Sequence, residues 1–180
     1  GKSGDRRAEA FILRNLGLLK SSEGKLGEAL PYYERALAII LELGERSDEG
    51  FLLEELGSYF QSAGELNRAM DYHARARAIN KEAGNQLLEA MALLNLGFIQ
   101  LELQRFAEAE TTLLAAASLA RELGDLRVMG YALGYLGCLY LEKEDFNKAA
   151  GYTAQALQTL EKIGEQYYHK LFYASLGSGK

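Results

Sequence analysis

The dipeptide Leu-Gly stands at residues 16–17, 56–57, 96–97, 136–137 and 176–177, forty residues apart each time. Ala29, Ala69, Ala109 and Ala149 keep the same step, as do Ala36, Ala76, Ala116 and Ala156, and Leu26, Leu66, Phe106 and Phe146. Gly4, Gly44, Gly84, Gly124 and Gly164 form a further register, followed by Asp5, Glu45, Asn85, Asp125 and Glu165. Registers that stay in phase without an insertion define a tandem array. Such a chain folds as a line of supersecondary units, each burying its apolar face on the next.

Within one unit the apolar residues Leu26, Ala29, Tyr33, Ala36, Ile40 and Leu43 step by three or four, which lines one face of a 3.6-residue helix. The spacing predicts two helices per unit, the first over about Asp5–Ser22 and the second over about Lys25–Leu43, with copies every forty residues. Composition agrees: Leu 33 and Ala 25 stand against Val 1, Ile 6 and Thr 4, so helix formers dominate and the β-branched residues that strands favour are scarce. Gly44 and its copies follow the last apolar residue, where a left-handed residue ends a helix. The Asp, Asn or Glu after each is placed to cap or charge-complement the next helix. Turns at Ser22-Glu23-Gly24 and Ser62-Ala63-Gly64 are short enough to make each pair antiparallel. The 180 residues thus read as one all-α array over 1–180: repeats at 5–44, 45–84, 85–124 and 125–164, then a capping helix at 165–177. The chain starts at an inter-repeat turn and stops after a lone first helix, so it reads as part of a longer protein.

A glycine inside a helix costs roughly 1 kcal/mol relative to alanine. The recurrence of Gly17, Gly57, Gly97 and Gly137 in mid-helix therefore needs a reason, and close approach to the Ala29 register of the second helix is the expected one. The sole proline, Pro31, falls in the early second turn of a predicted helix, where it removes a hydrogen bond and is expected to bend the first unit.

Net charge is −5 with Lys and Arg interspersed among Asp and Glu, so there is no basic stripe of the kind that displaces counterions from a nucleic acid. The apolar run that includes Tyr131–Leu141 extends from Val128 and has 14 residues, short of the ~20 that span a bilayer. Residues 1–10 are polar where a signal peptide would need an apolar stretch, which with the single cysteine gives a cytoplasmic expectation. His73 shares a register with Tyr33 and Leu113 and is expected in the core; with His169 and Cys138 it forms neither a metal set nor a nucleophile–base pair. No catalytic group, metal or cofactor is expected. Gly1-Lys2-Ser3 ends like a phosphate-binding loop without the upstream glycine or strand, and is read as a linker remnant, like Ser178-Gly179-Lys180.

The run Asn95-Leu96-Gly97, then Phe106 to Ala109 and Ala116, resembles the tetratricopeptide repeat, and the resemblance covers essentially the whole chain. Typical units of that family have about 34 residues, so these forty-residue units resemble its long-repeat branch, which includes spindle and polarity adaptors and arrays attached to bacterial signalling proteins. The chain departs from the pattern at Lys20 and Gln100, where an aromatic residue is usual and where Phe60 and Tyr140 keep it. The resemblance implies a right-handed α-solenoid of antiparallel helix pairs with first helices lining a concave groove. Projected onto this chain, the groove carries Phe11, Arg14, Asn15 and Leu18, then Phe51, Glu54, Glu55 and Ser58, then Met91, Leu94, Asn95 and Phe98, then Tyr131, Tyr135 and Cys138. The family's carboxylate clamp is effectively absent, since its places hold Arg14, Leu18, Glu55, Met91 and Asn95. The implied function is a non-enzymatic scaffold for an apolar protein or peptide ligand, with basic residues to meet Glu54 and Glu55. The alternative is a self-association or regulatory module whose contact is the terminal helix, Gln166 to Leu176, bearing Tyr167, Tyr168, Phe172 and Tyr173.

Overall fold

Each forty-residue unit folds as two helices joined by a tight turn. The computed structural model describes residues 2–164, in eight helices: α1 (Lys2–Ser22), α2 (Leu26–Leu43), α3 (Arg46–Ser62), α4 (Leu66–Glu82), α5 (Gln86–Glu102), α6 (Phe106–Leu123), α7 (Leu126–Glu142) and α8 (Phe146–Glu161). The expected capping helix, with His169 and the tyrosines near it, lies outside the described residues. The chain divides into two compact units, Gly1–Glu89 and Ala90–Lys180. In the first, α1 packs on α2, α2 on α3 and α3 on α4; in the second, α6 packs on α7 and α7 on α8.

The helix ends follow the sequence signals. Gly44 and Gly124 are left-handed (φ 70° and 72°), and their N–H groups return to carbonyls of the last turn. Asp125 and Asp145 accept hydrogen bonds from the N–H of Val128 and Lys148, and Asn85 from that of Leu88, so three helix starts are capped by side chains. Asp5 differs: α1 begins at Lys2, which places Asp5 inside the first turn, where its charge favours the helix without capping it. Pro31 sits within α2, which is one helix from Leu26 to Leu43.

The helices approach closely at the mid-helix glycines, with the Ala149 carbonyl 3.4 Å from a Cβ at Gly137, but the nearest side chain is not that of the expected alanine. A Cβ at Gly17, Gly57, Gly97 or Gly137 would come within 2.9, 2.6, 2.6 and 2.5 Å of the side chains of Tyr33, His73, Leu113 and Thr153. The glycine makes room for the side chain of the facing helix that stands four residues beyond the alanine register. Ala69 and Ala109 are wholly buried; Ala109 clusters with Leu139, Tyr140 and Ala149 of the following repeat. Glycine therefore serves the contact within a repeat, and Ala109 the contact toward the following one.

The turn inside each repeat is built the same way four times. The N–H groups of Gly24, Gly64, Gln104 and Glu144 donate to the carbonyl three residues back, at 2.9–3.0 Å, and all four residues have positive φ, 75°, 77°, 57° and 57°. Only the first two are glycine. A left-handed L-residue costs roughly 1–2 kcal/mol, part of which glycine loses again to the entropy of the unfolded chain. Glu144→Gly is accordingly expected to stabilise the protein by about 0.5–1 kcal/mol. Urea denaturation checks this, and a lower midpoint would refute it.

The helices of a pair are also joined differently in different repeats. In the second repeat Phe60 stacks on Tyr72 (5.1 Å, 12°) with Arg68 over the Phe60 ring, and in the fourth Tyr140 stacks on Tyr152 (5.4 Å, 6°) with Lys148 over the Tyr140 ring. In the first, Lys20 takes the aromatic's place and pairs with Glu28 at 3.0 Å.

Candidate functional site

The residues expected to line the groove fall into two sets, one in each unit. In the first unit Phe11 on α1 and Phe51 on α3 occupy equivalent positions one repeat apart, and both rings are exposed, 57% and 37%. Arg14 lies between them, its guanidinium carbon 5.0 Å from the Phe11 centroid and 4.8 Å from that of Phe51. A cation over an aromatic face is attracted by the ring quadrupole, which fixes both side chains. The three border an open cavity of about 240 Å³ with Ala10 and Ile40 on its apolar side and the Arg7–Asp48 ion pair (2.9 Å) on its polar side. Neither Arg7 nor Asp48 was marked by the sequence reading. The two are 41 residues apart, one position off the repeat register, so the forty-residue comparison does not pair them.

Glu54 and Glu55 do not form an open acidic patch. Glu54 Oε2 lies 2.8 Å from Nδ1 of His73, which is fully buried beneath Gly57 as its register predicted. Glu55 Oε2 lies 3.7 Å from Arg14 Nε, an ion pair without a hydrogen bond, both groups being largely buried. Burial pushes the Glu55 carboxyl above its ordinary range, and the Arg14 charge opposes that shift. Both carboxylates are thus engaged inside the chain. Arg14 also donates to Asn15 Oδ1 (3.1 Å), and the Ser58 hydroxyl turns back onto the Glu54 carbonyl (3.1 Å). Leu18 stays half exposed as apolar surface.

In the second unit Phe98 on α5 and Tyr135 on α7 meet with ring centroids 4.8 Å apart, tilted by 45°. Tyr131 and Tyr135 lie against a core of Ala90, Leu93, Leu113, Ala116, Ala132 and Leu136, and each keeps part of its surface open. Met91 is exposed and Asn95 half buried. Leu94 departs from expectation: it belongs to the core cluster at 9% exposure, because the apolar arc of α5 is wide enough to draw this position inward. Cys138 is half buried and borders a recess of about 230 Å³ with Leu101, Gln104 and Phe106. Among the described residues no three His, Cys, Asp or Glu side chains converge as a metal site, and no helix is long and apolar enough to cross a membrane.

A chain of helix pairs, each closed around a mid-helix glycine, is a helical-repeat protein. Family comparison agrees: the tetratricopeptide repeat model matches residues 6–82, and a model described as anaphase-promoting complex subunit 5 matches residues 53–144. The chain is a repeat protein of the tetratricopeptide type. No curated protein sequence matches it. Among solved structures it is similar to aspartyl phosphate phosphatase F from Bacillus subtilis, at 15% identity and a TM-score of 0.86, over 93% of this chain and 44% of that one. It is also similar to BtubC (BKLC) from P. vanneervenii (20% identity, TM-score 0.79, 98% of this chain and 80% of that one). A third is the apo form of RapI (19%, 0.85, 92% and 60%). At these identities the likeness is one of fold. The chain spans less than two thirds of the length of two of the three.

Proposed function

We propose that the protein is a non-catalytic scaffold that binds a peptide or protein segment through the first-helix faces of its repeats. The observation that carries this reading is the Phe11–Arg14–Phe51 cluster, two exposed rings held apart by a cation beside an open, partly apolar cavity. Large aromatic side chains left exposed on a rigid framework are the usual anchors of an interface. The Phe98–Tyr135 pair and Met91 supply similar surface in the second unit. The ligand we propose is chiefly apolar; a requirement for basic residues loses its support, since Glu54 and Glu55 already have partners within the chain. Alignment with only 44% and 60% of two solved relatives fits a regulatory segment of a larger, bacterial-type signalling protein working in the cytoplasm.

Peptides selected from a displayed random library against the intact chain test the assignment. Removing a central aromatic anchor typically costs about 2 kcal/mol or more, some thirtyfold in affinity. Phe98→Ala with Tyr135→Ala, and separately Phe11→Ala with Phe51→Ala, are expected to weaken selected peptides to at least that extent. Calorimetric titration giving wild-type affinity for both double variants would remove the groove assignment.

A further inference from the structure

The cavity bordered by α1, α2 and α3 has a polar side that an apolar ligand alone does not use. Phe51 is 37% exposed although α1 and α2 precede it, so the openness is a property of this face of the repeats. Asp48 lines the cavity at a register held by Ala8, Leu88 and Val128 in the other three repeats. Only this repeat puts a carboxylate there, at the end of the cavity away from Ala10 and Ile40.

The charges around the cavity are matched in pairs, Arg7 with Asp48 and Arg14 with Glu55. A ligand ammonium would meet two guanidiniums there, and a ligand carboxylate would meet Asp48 and Glu55, so the pairs select neither ion. A hydrogen-bond acceptor is left over. Arg7 directs Nε (3.0 Å) and Nη2 (2.9 Å) to the same oxygen of Asp48, Oδ2, and no described residue donates to Oδ1. Covering Oδ1 with a wholly apolar side chain takes it from water and gives nothing in return, which is costly for a charged group. A neutral O–H or N–H removes that cost. The volume, about 240 Å³, falls below the roughly 300–1,000 Å³ of clefts that take a free small molecule, and suits one large side chain. Two Phe rings and the Arg14 guanidinium at its border favour a ring, through edge or offset contacts and through stacking on the cation.

We infer that the cavity is the subsite for one side chain of the bound peptide, an aromatic ring with a hydrogen-bond donor at its rim, that is, tyrosine or tryptophan. The ring lies against Phe11 and Phe51 and its O–H or N–H donates to Asp48 Oδ1. The inference rests on the scaffold reading above and names the residue that this site recognises. Asp48 is then the residue that distinguishes such an anchor from phenylalanine or leucine.

Peptides selected from a displayed random library against the intact chain are the probe, after those that also bind the Phe11→Ala, Phe51→Ala double variant are discarded. The retained peptides are expected to share a tyrosine or tryptophan. Replacing tyrosine by phenylalanine, or tryptophan by naphthylalanine, keeps the ring and removes the donor, and should weaken calorimetric affinity about tenfold or more. Asp48→Leu, which restores the side chain of position 88, should erase that difference. Asp48→Asn, which keeps an acceptor oxygen, should preserve it, both variants having the wild-type helical circular dichroism spectrum. Donor-free peptides that bind the wild type as tightly as their parents overturn the subsite and leave the groove reading standing. So does a retained set that lacks both residues, or a difference that persists in Asp48→Leu. If no selected peptide depends on Phe11 and Phe51, the subsite and its place in the groove fall together.

Discussion

Ala109→Arg is expected to unfold the second unit, with a loss of more than about 4 kcal/mol, a size that single substitutions reach only by burying a charge or overfilling a core. Ala109 is wholly buried against Leu139, Tyr140 and Ala149, with Leu101, Phe106, Leu141 and Tyr152 around that cluster. An arginine there has neither volume nor a path by which its stem could carry the guanidinium to water. Whole domains are stable by only about 5–15 kcal/mol, so a large share of the helical signal should melt early. Ala107 is the control. It is an exposed alanine of the same helix, two residues away, and Ala107→Arg should change stability by no more than about 0.5 kcal/mol. Equal melting temperatures for the two variants would show that the alanine register does not hold repeats together.

The second large effect is expected at Gly57. Gly57→Ala gains about 1 kcal/mol of helix propensity, yet the new methyl would stand 2.6 Å from the His73 ring. That ring is completely buried and its Nδ1 is tied to Glu54 at 2.8 Å, so moving it aside strains the core and breaks the hydrogen bond together. Overpacking costs about 1–3 kcal/mol and an unmade buried hydrogen bond a similar amount. The net expectation is a loss of about 2–4 kcal/mol. Gly151→Ala supplies the opposite sign. That glycine lies within α8 with nothing near its absent Cβ, so alanine should stabilise by about 1 kcal/mol. If both substitutions shift the urea midpoint the same way, propensity rather than space decides at these positions.

The parts of the fold that sequence made legible are those recorded as the same residue type at every repeat. The period, the helix pairs and the left-handed ends at Gly44 and Gly124 are of this kind. The partner of the mid-helix glycine was not legible, because Tyr33, His73, Leu113 and Thr153 share a position but no chemistry. A self-comparison that rewards identity passes over them. The left-handed Gln104 and Glu144 were hidden for the same reason, although their register with Gly24 and Gly64 announced them. In the candidate site the Phe98–Tyr135 pair follows from neighbouring first helices. The fate of the acidic residues does not, since His73 lies 19 positions from Glu54 and Arg14 reaches Glu55 from the preceding repeat. Charge on a helix face states what a ligand could meet; only the fold states what has already met it.

The two ways of joining a helix pair respond differently to ionic strength. Lys20 and Glu28 hold the first pair at the surface, where added salt screens charges over a distance that falls from about 10 Å at 0.1 M to about 3 Å at 1 M. The stacked rings of Phe60 with Tyr72 and of Tyr140 with Tyr152 carry no such dependence. Salt is therefore expected to loosen the join of the first repeat more than the stacked joins of the second and fourth, and the turn between α1 and α2 is where hydrogen exchange should quicken first as it is added.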